Sequence, residues 1–327
     1  MKILTVVVRV LTAGMLMAFA AAAAAQAGYP SKPVRLVVPY TPGGGTDAVG
    51  RVIAQSLTEK WGQQVIVDNR PGGDTIIGTN VVAKSAPDGY TLLVLPTTYA
   101  INASRKDLPY DSYKDLDAVA ALSKSPYVLA IHPSLPANNL KELIALAKAK
   151  PGQLNYGSAG TGTTNHLGTE LFCMMTGTKM QHIPYKGSAP ATTDLVGGQL
   201  QLYFNNTISA MAPLINAGRL RAIAVTSEKR LAALPQVPTF AEAGLPGYEM
   251  LSWFTIAVPA GTPKPIINKI SKDIAVLLTQ PGTIDALDKQ SMEPYIVASP
   301  DQVTAMIRSE IARYAKIIKT SNINIAN

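Results

Sequence analysis

Two widely separated segments of this chain share one design, a short β-rich run that passes through a glycine-rich loop into an amphipathic helical pattern. Val34 to Val38 leads through Pro39-Tyr40-Thr41-Pro42-Gly43-Gly44-Gly45 into a helix predicted from about Thr46 to Trp61. Leu154 to Gly157 leads through Ser158-Ala159-Gly160-Thr161-Gly162-Thr163 into a helix carrying Leu167, Leu171 and Met174. In the first helix Val49, Val52, Ile53, Leu57 and Trp61 give one apolar face, and Gly62 supplies a C-terminal stop. Strands that turn directly into helices belong to α/β architecture, with helices packed on a parallel sheet.

The same alternation continues between these units. Strands are predicted at Gln64 to Asp68, Thr91 to Leu95, Tyr127 to Ile131, near His182, and at Leu200 to Phe204, Leu220 to Val225 and Trp253 to Val258. Helices are predicted near Thr75 to Lys84, Asn139 to Lys150, Pro265 to Leu278 and Pro300 to Lys319. The segment after about Leu231 has too few strands to form a domain, so it is expected to pack back on the first block. That places domain 1 at residues 28–126 plus 228–327 and domain 2 at 127–227, with the chain crossing twice between them. Two crossings make a hinge with a cleft, the geometry of a closing ligand trap.

The N-terminus limits where such a chain works. Residues 1–27 carry Lys2 and Arg9, no acid, an apolar run from Val10 through Ala25 and the small-residue end Ala25-Gln26-Ala27. This is the pattern of a secretory signal peptide cut before Gly28, which predicts an exported, periplasmic chain. The remaining 300 residues exceed a typical single core and favour two domains. Cys173 stands alone, so no intramolecular disulfide is expected. Without Lys2 and Arg9 there are 27 basic side chains against 21 acidic ones, a net +6. They are scattered without a dense run or aromatic interleaving, which argues against a nucleic-acid partner and for attraction of small anions.

A glycine-rich loop before a helix presents unpaired backbone N–H groups and the positive end of the helix dipole, and is therefore a site for an anion. One such loop in each proposed block predicts a clamp for a carboxylate, with Gly43, Gly44, Gly45 and Thr46 on one side and Ser158, Ala159, Gly160, Thr161, Gly162, Thr163 and Thr164 on the other. Each loop is also readable as a plain connection in which Thr46, Asp47 or Thr163 caps a helix. Asp47 would repel a carboxylate if it faced the ligand, so it reads as a brace first and a contact second. His166, in the first turn of the second helix, is a candidate for orienting the ligand. Tyr40, Thr97, Thr98, Tyr185, Asn205 and Asn206 are further candidate contacts at strand ends and loops; Lys186 reads as solvated. Trp253 either lines the cleft or packs.

A rival reading uses the same loop. Gly43, Gly45 and Ala48 fit a dinucleotide fingerprint, and Asp68 stands 20 residues beyond Ala48. It predicts an NAD-dependent oxidoreductase, but Pro39-Tyr40-Thr41-Pro42 separates strand from glycines where that motif wants an immediate turn. No Lys-Ser/Thr follows the glycines, so a nucleotide phosphate loop fails. Ser158 lacks the first glycine of a nucleophile elbow, and His132, His166 and His182 have no metal-ligand spacing. These patterns point to a non-catalytic binding protein that needs no cofactor.

Several motifs in order, Tyr29-Pro30-Ser31-Lys32-Pro33-Val34-Arg35, Pro42-Gly43-Gly44-Gly45-Thr46-Asp47, Asp68-Asn69-Arg70-Pro71-Gly72-Gly73, Pro87-Asp88-Gly89-Tyr90-Thr91-Leu92 and His182-Ile183-Pro184-Tyr185-Lys186-Gly187, resemble the Bug family. These are periplasmic receptors of tripartite tricarboxylate transporters. The resemblance runs to Pro235-Gln236-Val237-Pro238-Thr239 and Pro259-Ala260-Gly261-Thr262-Pro263. It implies a two-domain Venus-flytrap fold of the type II-like periplasmic binding proteins. It also implies a ligand carboxylate held largely by backbone groups and ordered water at Gly43 to Asp47 and at Ser158 to Thr164 with His166. The implied partners are a small carboxylate and the large and small integral membrane subunits of a transporter, or, if the chain senses its ligand, a signalling receptor. Asp74 departs from the pattern, standing where the family more often shows Ala or a similar small residue.

Overall fold

The computed structural model describes residues 28–321; the expected signal segment 1–27 lies outside them. The chain begins with β1 (Val34–Val38), α1 (Gly45–Trp61), β2 (Val65–Asn69), α2 (Ile76–Ala83), β3 (Thr91–Pro96), α3 (Thr98–Asn102) and β4 (Leu116–Pro126). It continues through β5 (Val128–Ile131), α4 (Leu140–Ala149), β6 (Asn155–Ser158), α5 (Thr164–Thr176), β7 (Gln181–Pro184), α6 (Ser188–Val196), β8 (Leu202–Asn205), α7 (Ile208–Asn216) and β9 (Arg221–Val225). It ends with β10 (Leu251–Pro259), α8 (Lys264–Leu277), α9 (Pro281–Asp288), β11 (Glu293–Pro294) and α10 (Pro300–Ser321).

The strands form two sheets, one ordered β11-β4-β10-β3-β1-β2 and the other β7-β6-β8-β5-β9. β1 reads Val-Arg-Leu-Val-Val because both faces of its sheet are covered. Leu36 and Val38 pack on one side against Val49, Ile53 and Leu57 of α1 and Ile270 and Ile274 of α8. Val37 points to the other side, toward Val82 of α2, Ile101 of α3 and Ile307 and Ile311 of α10. The second sheet is covered in the same way. Leu129 and Ile131 of β5 face Leu140 and Leu143 of α4 and Phe172 of α5, whereas Val128 and Ala130 face Leu195 of α6 and Met211 of α7. Burying a Leu, Ile, Val or Phe side chain contributes about 1.5–3 kcal/mol, so each sheet carries its own core.

Both sheets are mixed: beside the parallel pairing that the strand–helix alternation predicts, each carries antiparallel strands. β1 pairs parallel with β2 and β3, and β6 parallel with β7 and β8. β10, however, runs antiparallel to β3 and β4, and β5 antiparallel to β8 and β9. The strands nearest the crossings carry the reversal, because a chain that leaves one sheet on β4 and enters the other on β5 must come back to the first on β10. The return comes late. Phe240, Tyr248 and Met250 lie in the second sheet's core with Phe172 and Phe204, and Leu234 and Val237 pack on its other face. Segment 228–250, expected with the first block, therefore lies on the second sheet.

Candidate functional site

The loop before α1 and the loop before α5 face each other across a cavity between the two sheets. From the first side it is lined by Tyr40, Thr41, Gly44, Gly45, Thr46, Pro96 and Thr98, together with Ser252 and Phe254 of β10. From the second side come Tyr127, Ala159, Thr163, Thr164, Asn165, Ser188 and Asn206. None of these side chains is charged. The polar lining consists of hydroxyls, two amides and the backbone at two helix starts.

Neither helix start is satisfied by its own side-chain cap. Gly44 caps α1 with an extended backbone and Thr163 caps α5, and in neither case does a cap side chain accept from a backbone N–H of the first turn. By contrast, α4 is closed by Asn139, whose Oδ1 accepts from Glu142 N at 2.9 Å. Other helices also lack such caps. What distinguishes α1 and α5 is that their N-terminal residues line one cavity from opposite sides. Together they offer it unpaired N–H donors and the positive ends of two helix dipoles, each equivalent to about half an elementary charge.

The first loop is braced by charge. Asp47 is buried and its Oδ2 accepts from Gly43 N at 3.0 Å and from Arg51 Nε at 2.9 Å, while Oδ1 accepts from Asn69 Nδ2 at 2.9 Å. Burial pushes the carboxyl up, but the hydrogen bonds from Arg51, Gly43 and Asn69 outweigh it and hold the group below its ordinary value. Asp47 therefore supports the loop from behind. Gly45 faces Asn206 across the cleft so closely that a Cβ on it would lie 2.8 Å from Asn206 Nδ2.

The second loop is braced by neutral groups. His166 Nδ1 accepts from Gly162 N at 3.0 Å, and Ser158 Oγ accepts from Gly160 N at 3.1 Å and lies 2.6 Å from His182 Nε2. The two imidazoles stack with centroids 3.9 Å apart. Burial, with the His182 ring beside it, pushes His166 down to about 3, and burial pushes His182 down to about 4. Both rings are therefore neutral, as the acceptor role of His166 Nδ1 requires. Asn165 ties the loop to the sheet: its Oδ1 accepts from Ala159 N at 3.2 Å and its Nδ2 donates to Tyr203 Oη at 3.0 Å.

Of the residues singled out from the sequence, Tyr40, Gly44, Gly45, Thr46, Thr98, Ala159, Thr163, Thr164 and Asn206 line the cavity. The others lie behind or beside it. Gly43 and Asp47 form the brace just described, as do Ser158, Gly160, Gly162 and His166 on the other side. Thr161 is in the same loop without lining the cavity. Thr97 Oγ1 accepts from Trp253 N at 2.7 Å and holds β3 to β10. Asn205 Oδ1 accepts from Thr207 N at 2.6 Å, and Tyr185 Oη donates to Asp194 at 2.6 Å. Trp253 is buried, its indole donating to Glu310 at 3.1 Å. Thr41, Pro96, Tyr127, Asn165, Ser188, Ser252 and Phe254 were missed.

The dinucleotide reading loses its acid. Asp68 is held by Arg35 Nε at 2.7 Å and Arg70 Nε at 3.0 Å, and residues 39–44 separate β1 from α1 where the fingerprint needs a tight turn. Among the described residues no helix is long and apolar enough to cross a membrane.

Comparison with known proteins agrees with this architecture. Residues 49–323 match the family model described as Tripartite tricarboxylate transporter family receptor. Protein BugT of Bordetella pertussis is 39% identical over 294 residues, covering 89% of this chain and 90% of its own. Among solved structures, R. palustris Rpa4515 with adipate superposes with a TM-score of 0.86 at 39% identity, covering 90% of this chain and 99% of that one. MatC from Rhodopseudomonas palustris with bound malate superposes with a TM-score of 0.81 at 27% identity, covering 89% of this chain and all of that one (100%).

Proposed function

The chain belongs to the tripartite tricarboxylate transporter receptor family, and from that premise we propose that it captures one small carboxylate in the cleft between its two sheets. It is a solute-binding receptor of the Venus-flytrap type. The single observation that carries the reading is the facing pair of helix N-termini around a cavity with no charged lining. A carboxylate placed there accepts from backbone N–H groups and from Thr46, Thr98, Thr164 or Ser188 hydroxyls. Charge-assisted hydrogen bonds contribute about 1.5–3 kcal/mol each, so a handful suffices for micromolar affinity, roughly 8 kcal/mol, after ordering costs.

In this proposal the receptor works in the periplasm after cleavage between Ala27 and Gly28, and hands its ligand to the large and small membrane subunits of a transporter. It performs no catalysis. The closing units are residues 28–126 with 251–321 on one side and 127–250 on the other, a division supported by the packing of Phe240, Tyr248 and Met250 on the second sheet. Thermal unfolding of the mature protein with citrate, malate, succinate, adipate, terephthalate, glutamate and aspartate tests it. At least one is expected to raise the midpoint in proportion to ln[ligand], as linkage requires. No shift with any of them, alongside a shift with NAD, would overturn the reading.

A further inference from the structure

Asp74 belongs to the first side of the cleft but reaches the second. Gly72, Gly73, Asp74 and Thr75 all have positive φ, at 117°, 54°, 52° and 83°. Left-handed backbone is disfavoured for a residue with a Cβ and most of all for a β-branched one, so Asp74 and Thr75 sit there only because their surroundings hold them. Asn102 Nδ2 donates to the Asp74 carbonyl at 2.7 Å, and Arg105 Nη1 to Asp74 Oδ2 at 3.3 Å. The effect of this turn is to aim a carboxylate. Asp74 Oδ1 lies against Gly160 of the second loop, where a Cβ would overlap it. The same carboxylate acts on the Tyr40 hydroxyl in the cavity wall, whose ionisation it opposes after burial and the neighbouring Tyr127.

Unused hydrogen-bonding capacity surrounds it. Arg105 Nε, Asn102 Oδ1 and Ser104 Oγ are buried without partners, and the Arg105 side chain is only 6% exposed. An unpartnered buried donor on a cation is costly to maintain. Asp47, the other acid near the cavity, is turned away from it toward Gly43, Arg51 and Asn69.

We propose that Asp74 is a specificity-determining residue that supplies, from the protein, the anion a dicarboxylate would bring to the second loop. This rests on the carboxylate reading above. The cleft then selects a ligand with one carboxylate, held at the start of α1, and a hydrogen-bond donor such as an ammonium, amide or hydroxyl at its far end. A second ligand carboxylate meets the like charge of Asp74, whereas a donor finds an acceptor.

The test is calorimetric titration of the mature protein with two matched sets, adipate, 6-aminohexanoate and adipamate, and succinate, 4-aminobutyrate and succinamate. Asp74→Asn keeps an acceptor for Arg105 and tolerates the left-handed backbone; Asp74→Gly relieves that backbone altogether. The wild type is expected to bind the amino or amide member of a set at least ten-fold more tightly than the dicarboxylate. In both variants that ratio is expected to fall at least ten-fold, since the like charge that opposes a second ligand carboxylate is gone. Binding with an unchanged ratio, a uniform loss across every ligand, or a wild-type preference for the dicarboxylate overturns the assignment alone. Failure of the wild type to bind any of the six overturns the assignment; the carboxylate reading falls only if the thermal panel above is silent as well.

Discussion

The two sides of the cleft reach the same end by different chemistry. Each is a strand, a glycine loop and an uncapped helix start, yet Gly43 is braced by an ionised Asp47 and Gly162 by a neutral His166. The difference shows that what the site requires is the free backbone at the helix start. The group that holds the loop from behind can carry charge or not, provided it does not face the ligand. It also means that the two sides fail under different conditions.

The largest effect is expected where the sides meet. Gly45→Val adds side-chain atoms to a position already 2.8 Å from Asn206 Nδ2 at the Cβ alone. The helix itself accepts valine there, so circular dichroism stays native while affinity falls at least 100-fold, roughly 3 kcal/mol. Unchanged affinity by calorimetry would show that the cleft does not close at this contact.

A smaller effect separates the two braces by pH. His166 and His182 have folded pKa values below the unfolded 6.5, at about 3 and about 4. As pH falls below 6.5 the unfolded chain takes protons that the folded chain cannot, so stability is full above that pH and is lost progressively toward 4 and 3. The Asp47 carboxyl is held below its ordinary 3.8, so its contribution is full above the ordinary carboxylate range and disappears only as pH falls through its lower folded value. Between pH 6.5 and 4.5 the second side weakens while the first holds. The thermal midpoint is expected to drop by roughly 5 °C over that interval. His166→Gln should flatten the slope and Asp47→Asn should leave it; the reverse pattern would exchange the two braces.

Much of the fold was legible because each glycine loop is bracketed by a strand and a helix with clear periodicity. β1 and α1 fall at Val34–Val38 and Gly45–Trp61, where the apolar pattern put them to within a residue. β4 escaped notice although it is the longest strand. Its Leu-Asp-Ala-Val-Ala-Ala-Leu-Ser-Lys-Ser-Pro sequence is rich in alanine and serine, and it is held by pairing with β10 instead of by propensity. The site shows the same limit at finer grain. Asn206 and Thr98 line the cavity while their neighbours Asn205 and Thr97 brace the frame. Side chains alternate along β8, which ends at Asn205, and diverge by about 100° per residue at the start of α3, where Thr97 and Thr98 lie, and sequence alone does not set which of each pair turns inward. Asn165 rather than His166 faces the cavity because consecutive helical residues are about 100° apart. Tyr127 lies on the crossing between β4 and β5, and Ser252 and Phe254 lie on β10 beside the other crossing; all three enter the site only through topology.

The most direct measurement is a crystal structure of the mature protein with a carboxylate that raises its thermal midpoint. The account predicts carboxylate oxygens about 3 Å from the backbone nitrogens at the start of α1, with Thr164 or Ser188 closing from the other side. A ligand seated elsewhere, or held in this cleft with its carboxylate turned away from both helix starts, would contradict it.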